Sequence, residues 1–263
     1  MDRRQMMAGA AAMSALSFSG TAAAAAGPAQ SFLEIKTWRL HNSAEEQQRR
    51  VSAYLEAGLF PALTRAGARP VGAFGNLIGD GGPYLVSLVQ YRSLAAFEES
   101  LSKLEKDEAH TQAVQALDGG GSGVPYVRVE SMLLRTLSGF PEAAAASDAK
   151  AAPRVFELRT YESQSLTALG KKIGMFNGGE IGIFERLGMR PIFFGEAIAG
   201  THQPCIVYML SFDNLAVREK LWAEFGSDAE WKRISAPVEL KDAAIVGNIG
   251  NVMLRSLAFS PVR

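Results

Sequence analysis

The sequence predicts an α+β fold in which two ferredoxin-like βαββαβ units pack sheet to sheet as a pseudo-dimeric α+β barrel. Three observations lead to this prediction. Several short segments occur twice, in the same order, along the 263-residue chain. In each half, the hydrophobic pattern changes between the period of a strand and the period of a helix. A polar segment containing alanine and proline separates the halves, as a linker would.

Four pairs of segments define the repeat. LEIKTW in the first half corresponds to FELRTY in the second, GARP to GMRP, LVQYRSL to MLSFDNL, and SMLLRTL to NVMLRSL. The offset is nearly constant; Pro70 and Pro191, for example, stand 121 residues apart. A regular offset of this kind indicates a duplicated unit. The predicted units cover residues 31–137 and 154–259, with the linker at residues 138–153.

The individual elements are clearest in the second unit. Its first strand, VFELRTY, alternates between two faces. Ser165 or Thr167 can cap the helix that follows, and Gly188 can end it in the left-handed conformation of a helix terminus. The remaining predicted elements are strands at Arg190–Ala197 and Pro204–Phe212, a helix from Asp213 towards Phe225, and a last strand at roughly Asn248–Phe259.

The unit architecture explains why a barrel is expected. A ferredoxin-like sheet carries its helices on one face and leaves the other face uncovered. The uncovered face must be buried, and the other unit is the available partner. Fusion of both units in one chain removes the translational entropy cost of pairing them. We therefore expect a pseudo-twofold barrel ringed by helices.

The composition excludes some classes of function. Lysine plus arginine and aspartate plus glutamate both number 27, and the sequence contains no basic patch, so we expect no nucleic-acid partner. The single cysteine, Cys205, cannot form an intrachain disulfide and is expected to be a buried strand residue. The histidines, His41, His110 and His202, lack the spacing of a metal-binding motif, so no metal site is predicted.

Residues 1–26 have the organisation of a signal peptide. Arg3 and Arg4 form a basic start, Met6–Phe18 is apolar, and Ala22–Ala26 is a run of small residues suited to cleavage. The adjacent arginines are typical of a twin-arginine export signal. A general secretory signal and an uncleaved anchor are the alternatives. The expected mature protein is periplasmic or secreted, without stable membrane insertion.

Four segments of the second unit resemble the NIPSNAP family. They are FELRTY, GEIGIFERLGMRPIFFGE, YMLSF and LWAEFGSDAEW. The resemblance is strong across Arg154–Leu257 and weaker across Phe32–Leu137. It implies a fold of the dimeric α+β barrel superfamily and a protein whose biochemical activity is undefined.

The difference between the two units points to a candidate site. Glu180 lies on the apolar stripe of the second unit's long helix, where the first unit has Leu59. A carboxylate that faces a core needs a partner, or its pKa rises. Arg159 is a candidate partner if its strand face meets the helix. Either a polar pocket between helix and sheet or a buried ion pair would explain Glu180.

Other side chains extend this candidate site. The Gly178–Gly179 pair interrupts the same helix, which would admit a ligand or allow close packing. His202, in a hairpin turn, is a candidate general base. The candidate ligand-binding residues are Asn177, Glu180, Tyr161, Trp222 and Trp231, with the aromatic residues forming either pocket walls or core. The candidate catalytic residues are Glu180, Arg159 and His202.

Three functions remain open at this point. The first is an exported protein that binds a small molecule or a protein partner in the helix–sheet pocket of the second unit. The second is an enzyme, by analogy with other dimeric α+β barrels: a cofactor-light oxygenase or a haem-handling protein. The third is an envelope scaffolding module. The sequence indicates no cofactor, haem being a candidate only for the second function, and a homo-oligomer is compatible with all three.

Overall fold

The computed structural model describes residues 29–42, 46–148 and 150–263. The predicted signal peptide at residues 1–26 lies outside this described part of the chain. Within the described part, eight strands form one closed barrel, and the helices pack against its outer surface. No helix in these described ranges is long and apolar enough to cross a membrane.

Both halves of the barrel contain the same order of elements, except that the second half has an additional short helix before its last strand. In the first half these are β1 (Phe32–Arg39), α1 (Gln47–Ala53), α2 (Phe60–Ala66), β2 (Arg69–Ile78), β3 (Tyr84–Tyr91), α3 (Leu94–Leu104), α4 (Glu108–Gly119) and β4 (Arg128–Thr136). In the second half they are β5 (Val155–Glu162), α5 (Leu166–Met175), α6 (Ile181–Leu187), β6 (Arg190–Ala199), β7 (Cys205–Phe212), α7 (Leu215–Ser227), α8 (Ala229–Ile234), α9 (Asp242–Ile245) and β8 (Asn248–Ser256). π-Helical turns at Tyr54–Leu59 and Phe176–Glu180 join α1 to α2 and α5 to α6.

Local sequence signals set the ends of the helices. The Ser165 hydroxyl accepts a hydrogen bond from the backbone N–H of Ala168 at 3.1 Å, so Ser165 is the cap of α5. At the end of α6, Gly188 has φ 82°, a left-handed conformation that costs glycine little. Gly67 ends α2 in the same way, with φ 94°. Each long helix pair thus ends at a glycine and returns the chain to the sheet.

The strand order closes the barrel by pairing across the halves. Around the barrel the order is β1-β3-β2-β8-β5-β7-β6-β4, and the neighbouring strands are antiparallel. Edge strand β2 pairs with β8, with Phe74 opposite Ser256, and β4 pairs with β6, with Thr136 opposite Gly195. Closure leaves no sheet edge exposed. The predicted α+β barrel is therefore confirmed.

The barrel interior holds an apolar core to which both halves contribute. The rings of Phe74 and Phe156 lie 4.9 Å apart at their centroids, and neither side chain is exposed. Along β5, side chains alternate: Leu158 and Thr160 face the interior, whereas Glu157 contacts the outer helices. Separate apolar clusters lie under the helices of each half. Among the described residues, the fold thus has an inner core and a large apolar cluster under the helices of each half, with a smaller cluster between α5 and α9.

Part of the predicted linker closes one end of the barrel. Ala143 is buried in the inner core, and its N–H donates to Gln90 Oε1 at 3.0 Å. Arg69 donates to the carbonyl of Ala143 at 2.8 Å. Val262, near the C-terminus, packs into the same core and donates its N–H to the carbonyl of Val71 at 3.1 Å. These contacts fill the end of the barrel at which β2 and β6 begin.

Candidate functional site

A cavity of about 600 Å³ lies in the other end of the barrel. It opens where β1 and β5 end, beneath the two hairpin loops that connect β2 to β3 and β6 to β7. Its wall is apolar and comes equally from both halves. The wall residues are Ile35, Val86, Met132, Leu158, Val207 and Val252.

The rim of the cavity, defined here as Arg39, Asp80, Glu130, Glu162 and His202, is polar. On the first-half side, Arg39 donates to Glu130 Oε2 at 2.9 Å and lies 2.6 Å from Asp80 Oδ2. Its guanidinium also lies 5.0 Å from the ring centre of Tyr84. These contacts hold the charges of this side in fixed pairs.

Pairing with Arg39 helps to lower the pKa of both carboxylates, Asp80 and Glu130. Burial would raise the pKa of Asp80, but hydrogen bonds from the N–H of Gly81 and from Arg39 outweigh burial and lower it. Burial likewise opposes ionisation of Glu130, whereas hydrogen bonds from Arg128 and Arg39 lower the pKa of Glu130. Both groups are therefore ionised at neutral pH.

The second-half side of the rim is built differently. Glu162, the last residue of β5, accepts a hydrogen bond at Oε1 from Asn248 Nδ2 at 3.0 Å. The same oxygen lies 3.1 Å from Nδ1 of His202, in the loop between β6 and β7. His202 has φ 64° and its side chain is 57% exposed. This contact orients the His202 ring, as a carboxylate orients a catalytic histidine.

A second polar cluster, which we call the helix–sheet region, lies between β5 and the outer helices of the second half. At its centre is Glu157, whose side chain is fully buried. Arg218 donates to both of its oxygens, at 2.9 and 2.6 Å, and Trp222 Nε1 donates at 2.7 Å. Arg159 and Asn251 donate at 2.7 and 2.8 Å. Five hydrogen bonds therefore satisfy this carboxylate.

Arg159 lies next to Glu157, not next to Glu180 as the sequence suggested. Its guanidinium lies 4.4 Å from the ring centre of Trp222 and donates to the Tyr161 hydroxyl at 3.1 Å. Burial alone would lower the pKa of Arg159, but interactions with Tyr208, Tyr161 and Glu157 raise it. The predicted Arg159–Glu180 pair is therefore wrong. Glu157 and Arg159 are two positions apart on one strand and so share its outer face.

The partner of Glu180 is Lys172, which sequence reasoning missed. Lys172 Nζ lies 3.1 and 3.3 Å from the two carboxylate oxygens. The rings of Tyr161, Phe176 and Trp231 surround the ammonium group, with centres 5.0 to 5.3 Å away. Burial raises the pKa of Glu180, although the charge of Lys172 opposes the change. Of the two explanations offered for Glu180, the structure shows the buried ion pair.

The other predicted site residues lie in three separate places: the helix–sheet region, the linker and the barrel cavity. Tyr161, Trp222 and Trp231 line the helix–sheet region. Asn177 is exposed, and its Oδ1 accepts from the N–H of Gly139 at 2.9 Å, so it binds the linker. His202 faces the barrel cavity and contacts Glu162. Since Arg159 lies on the opposite face of β5, the three candidate catalytic residues do not form one site.

Close packing accounts for the glycine pair in the helix. Gly179 has φ 151°, and a side-chain Cβ at this position would lie 2.7 Å from Cδ1 of Ile234 on α8. Only glycine fits such a conformation and such an approach. We find no opening for a ligand at this glycine.

Metal ligands are scarce in the described part of the chain. No group of three or more His, Cys, Asp or Glu side chains in it could hold a metal ion. The ring nitrogens of His110 are 2.9 Å from the Tyr54 hydroxyl and 3.2 Å from the Leu104 carbonyl. His202 is the histidine that lines the cavity, with Nδ1 next to Glu162. A haem bound in the cavity would have this imidazole as its candidate ligand.

Comparison with solved structures supports the fold. A proposed monooxygenase of Lactobacillus acidophilus NCFM is 11% identical, with a TM-score of 0.56, over 86% of this chain and 94% of that one. A proposed monooxygenase of Fusobacterium nucleatum subsp. nucleatum ATCC 25586 is 10% identical, with a TM-score of 0.53, over 87% and 93%. At these identities the likeness shows a shared fold and does not extend to activity.

Comparison with protein families finds a similarity in the second half. A NIPSNAP family protein with unknown function from Agrobacterium tumefaciens str. C58 is 19% identical, with a TM-score of 0.37, over 42% of this chain and 94% of that one. A search of curated proteins finds no match to the chain. The NIPSNAP family model matches residues 156–261. This match covers most of the second half of the α+β barrel.

Proposed function

We propose that the protein binds a small amphipathic molecule in the barrel cavity. The observation that carries this proposal is the cavity itself, about 600 Å³ of space with an apolar wall beneath a polar rim. Ligand pockets in proteins typically measure roughly 300–1,000 Å³ and combine apolar walls with a few placed polar groups. An apolar body would lie against the wall, and a polar group would meet the rim.

The helix–sheet region supports binding less well. Its charged groups already pair with one another: Glu157 accepts five hydrogen bonds, and Lys172 and Glu180 are almost fully buried together. A ligand would have to replace contacts that satisfy buried charges, which costs several kcal/mol. We therefore place the binding site in the barrel instead of the helix–sheet pocket that the sequence suggested.

The test is a cavity-filling substitution. Val252 is a half-buried residue of the cavity wall, and Val252→Phe would place a ring in the space a ligand needs. A thermal-shift screen should find ligands that raise the midpoint temperature of unfolding of the wild-type protein. The same ligands should leave the midpoint temperature of Val252→Phe unchanged. Val238→Phe, the same change at an exposed position, is the control. Equal binding to Val252→Phe and wild type would place the ligand elsewhere and overturn the proposal.

We also infer that the two halves, at residues 31–137 and 154–259, are tandem copies whose sheets pack around the cavity. The shared order of elements supports this inference. Strand register supports it too, because Thr37 pairs with Glu130 and Thr160 with Gly250 at matching places in β1 and β5. An expressed second half that folds and dimerises would test it. A second half that remains unfolded at high concentration would count against it.

For the N-terminal residues, we propose a twin-arginine signal and a periplasmic or secreted mature protein. The support is the sequence of residues 1–26, with its arginine pair followed by an apolar run. Lysine substitution of both Arg3 and Arg4 should retain the precursor in the cytoplasm, as followed by cell fractionation. Unchanged export would point to the general secretory route.

An enzyme is the second candidate function, and the contact between His202 and Glu162 favours it. With Nδ1 next to the carboxylate at 3.1 Å, the opposite ring nitrogen of His202 could take a proton from a ligand in the cavity. His202→Gln should then abolish turnover while ligand binding persists. If the protein handles haem, it should take up haem stoichiometrically and show a Soret band, and His202→Gln should remove that band.

If the protein is instead an envelope scaffolding module, it should bind an envelope protein. Val252→Phe should leave that binding unchanged.

A further inference from the structure

The two sides of the cavity rim occupy equivalent places in the barrel but carry different residues. Arg39 is the last residue of β1 and lies opposite Arg128, whereas Glu162 is the last residue of β5 and lies opposite Asn248. Two positions earlier, Thr37 lies opposite Glu130, whereas Thr160 lies opposite Gly250. Three residues therefore differ between the two sides. Arg39, Glu130 and Arg128 on the first side correspond, in that order, to Glu162, Gly250 and Asn248 on the second.

The first-half side offers no charge to a ligand. Glu130 receives hydrogen bonds from Arg39 at 2.9 Å and Arg128 at 2.7 Å, one at each oxygen. Asp80 is bound to Arg39 as well. Two arginines and two carboxylates therefore neutralise one another in a closed network.

The second-half side leaves a carboxylate oxygen without a partner. Both contacts of Glu162, from Asn248 and His202, reach Oε1. Among the described residues, neither Oε2 of Glu162 nor the hydroxyl of Thr160 has a hydrogen-bond partner. Gly250 adds no side chain here, so the space that Glu130 fills on the first side stays open. A polar ligand group can reach both oxygens from the cavity.

We propose that the cavity takes an amphipathic organic cation, such as a primary amine with an apolar body. Its ammonium group binds Oε2 of Glu162 and the hydroxyl of Thr160, and its apolar body lies between the walls of the barrel. This assignment rests on the proposed function and names the ligand class of the same site.

The charge of the cavity favours this class over an anion. With His202 counted as neutral, the formally charged residues that line the cavity are Arg39, Asp80, Glu130 and Glu162, one cation and three anions. Adding Arg128, which neighbours the cavity, still leaves one negative charge unmatched. A carboxylate ligand would meet repulsion there, while an ammonium group gains a charge-assisted hydrogen bond next to apolar walls that exclude water.

A matched series of probes tests the ligand class. Hexylamine, hexanol and hexanoate share one apolar body and differ in the head group, so calorimetric titration of each isolates the effect of charge. The amine should bind wild type about tenfold more tightly than the alcohol, and hexanoate should bind most weakly. Glu162→Gln should remove the advantage of the amine and leave hexanol binding unchanged. Glu185→Gln, at an exposed position on α6, should change nothing.

Gly250→Val tests the open space itself. An added Cβ would lie 3.6 Å from Cβ of Thr160, an ordinary contact, so the variant should fold. It should weaken the amine and the alcohol alike. If amine and alcohol bind wild type equally, and Val252→Phe blocks both, the cation assignment is wrong while cavity binding stands. If the probes bind and Val252→Phe blocks none, both the assignment and the proposed function fail.

Discussion

Nζ of Lys172 lies 3.1 Å from Oε2 of Glu180, and their side chains are only 1% and 2% exposed. At the equivalent positions of the first half, 121 residues earlier, stand Val51 and Leu59, both buried in an apolar cluster. An apolar pair thus occupies the positions of the first half that correspond to this ion pair under the proposed repeat. We therefore expect packing at this place to tolerate the loss of both charges together.

The first prediction concerns replacement of this ion pair. Lys172→Met should destabilise the protein by about 3–5 kcal/mol, because it leaves Glu180 buried without its counter-charge. The double variant Lys172→Val/Glu180→Leu, which copies the first half, should be as stable as wild type or gain about 1–4 kcal/mol. Urea unfolding followed by circular dichroism measures both. A double variant as unstable as the single one would show that the ion pair is required for the fold.

The second prediction concerns acid stability. Burial would raise the pKa of Glu157, but hydrogen bonds from Arg218 and Trp222 and the charge of Arg159 outweigh burial and lower it. The unfolded chain therefore binds a proton at higher pH than the folded protein does. The stabilisation from these contacts is complete above the unfolded pKa of about 4.3 and is lost as pH falls through the folded pKa.

Glu157→Gln isolates this effect. The difference in free energy of unfolding between wild type and variant should be largest at pH 7 and should shrink steadily below pH ~4, which urea titrations at several pH values measure. Glu185→Gln, on the exposed face of α6, should show no such trend. A difference that stays constant with pH would mean that the carboxylate contributes through its shape and not its charge.

Comparison of the two halves of the sequence identified Glu180 as unusual, but it could not identify Lys172. Two turns of a regular α-helix span about 7.2 residues. The side chains of residues eight positions apart therefore do not point in the same direction from such a helix. The π-helical turn at Phe176–Glu180 adds the extra residue that aligns them. No pattern in the sequence predicts that turn. The Glu157–Arg159 contact, in contrast, could have been read from the alternation of β5.

The cavity in the barrel could not be predicted from the sequence either. The sequence predicts a barrel, and its interior positions could be assigned by alternation along each strand. Whether side chains fill that interior depends on residues distant in sequence, such as Ala143 and Val262 at the closed end. The contact between His202 and Glu162 likewise requires the β6–β7 loop to fold over the end of β5. Both features arise only when the barrel closes.

The third prediction concerns Cys205, the first residue of β7. Burial, with a smaller effect from the charge of Glu162, raises the pKa of this thiol to about 11. The thiolate is the reactive form, so iodoacetamide at pH 8 should label the native protein very slowly. Labelling in urea should be complete within minutes. Fast labelling of the native protein would mean that β7 is accessible at its first residue.

The fourth prediction concerns contact between the halves. Phe74 of β2 and Phe156 of β5 meet in the inner core, with ring centres 4.9 Å apart and no exposure to solvent. Phe156→Ala should cost about 3–5 kcal/mol, because a cavity replaces the ring. Phe32→Ala, at a partly buried position in an outer cluster, should cost less.

The same variant tests whether the halves unfold together. Hydrogen bonds between β2 and β8 and between β4 and β6 join the halves, and Phe156 shares its core with Phe74. Loss of Phe156 should therefore lower one common unfolding midpoint. Trp38 reports on the first half and Trp222 and Trp231 on the second, so single-tryptophan backgrounds resolve them by fluorescence. Separate midpoints would show that each half holds its sheet without the other, contrary to a shared inner core.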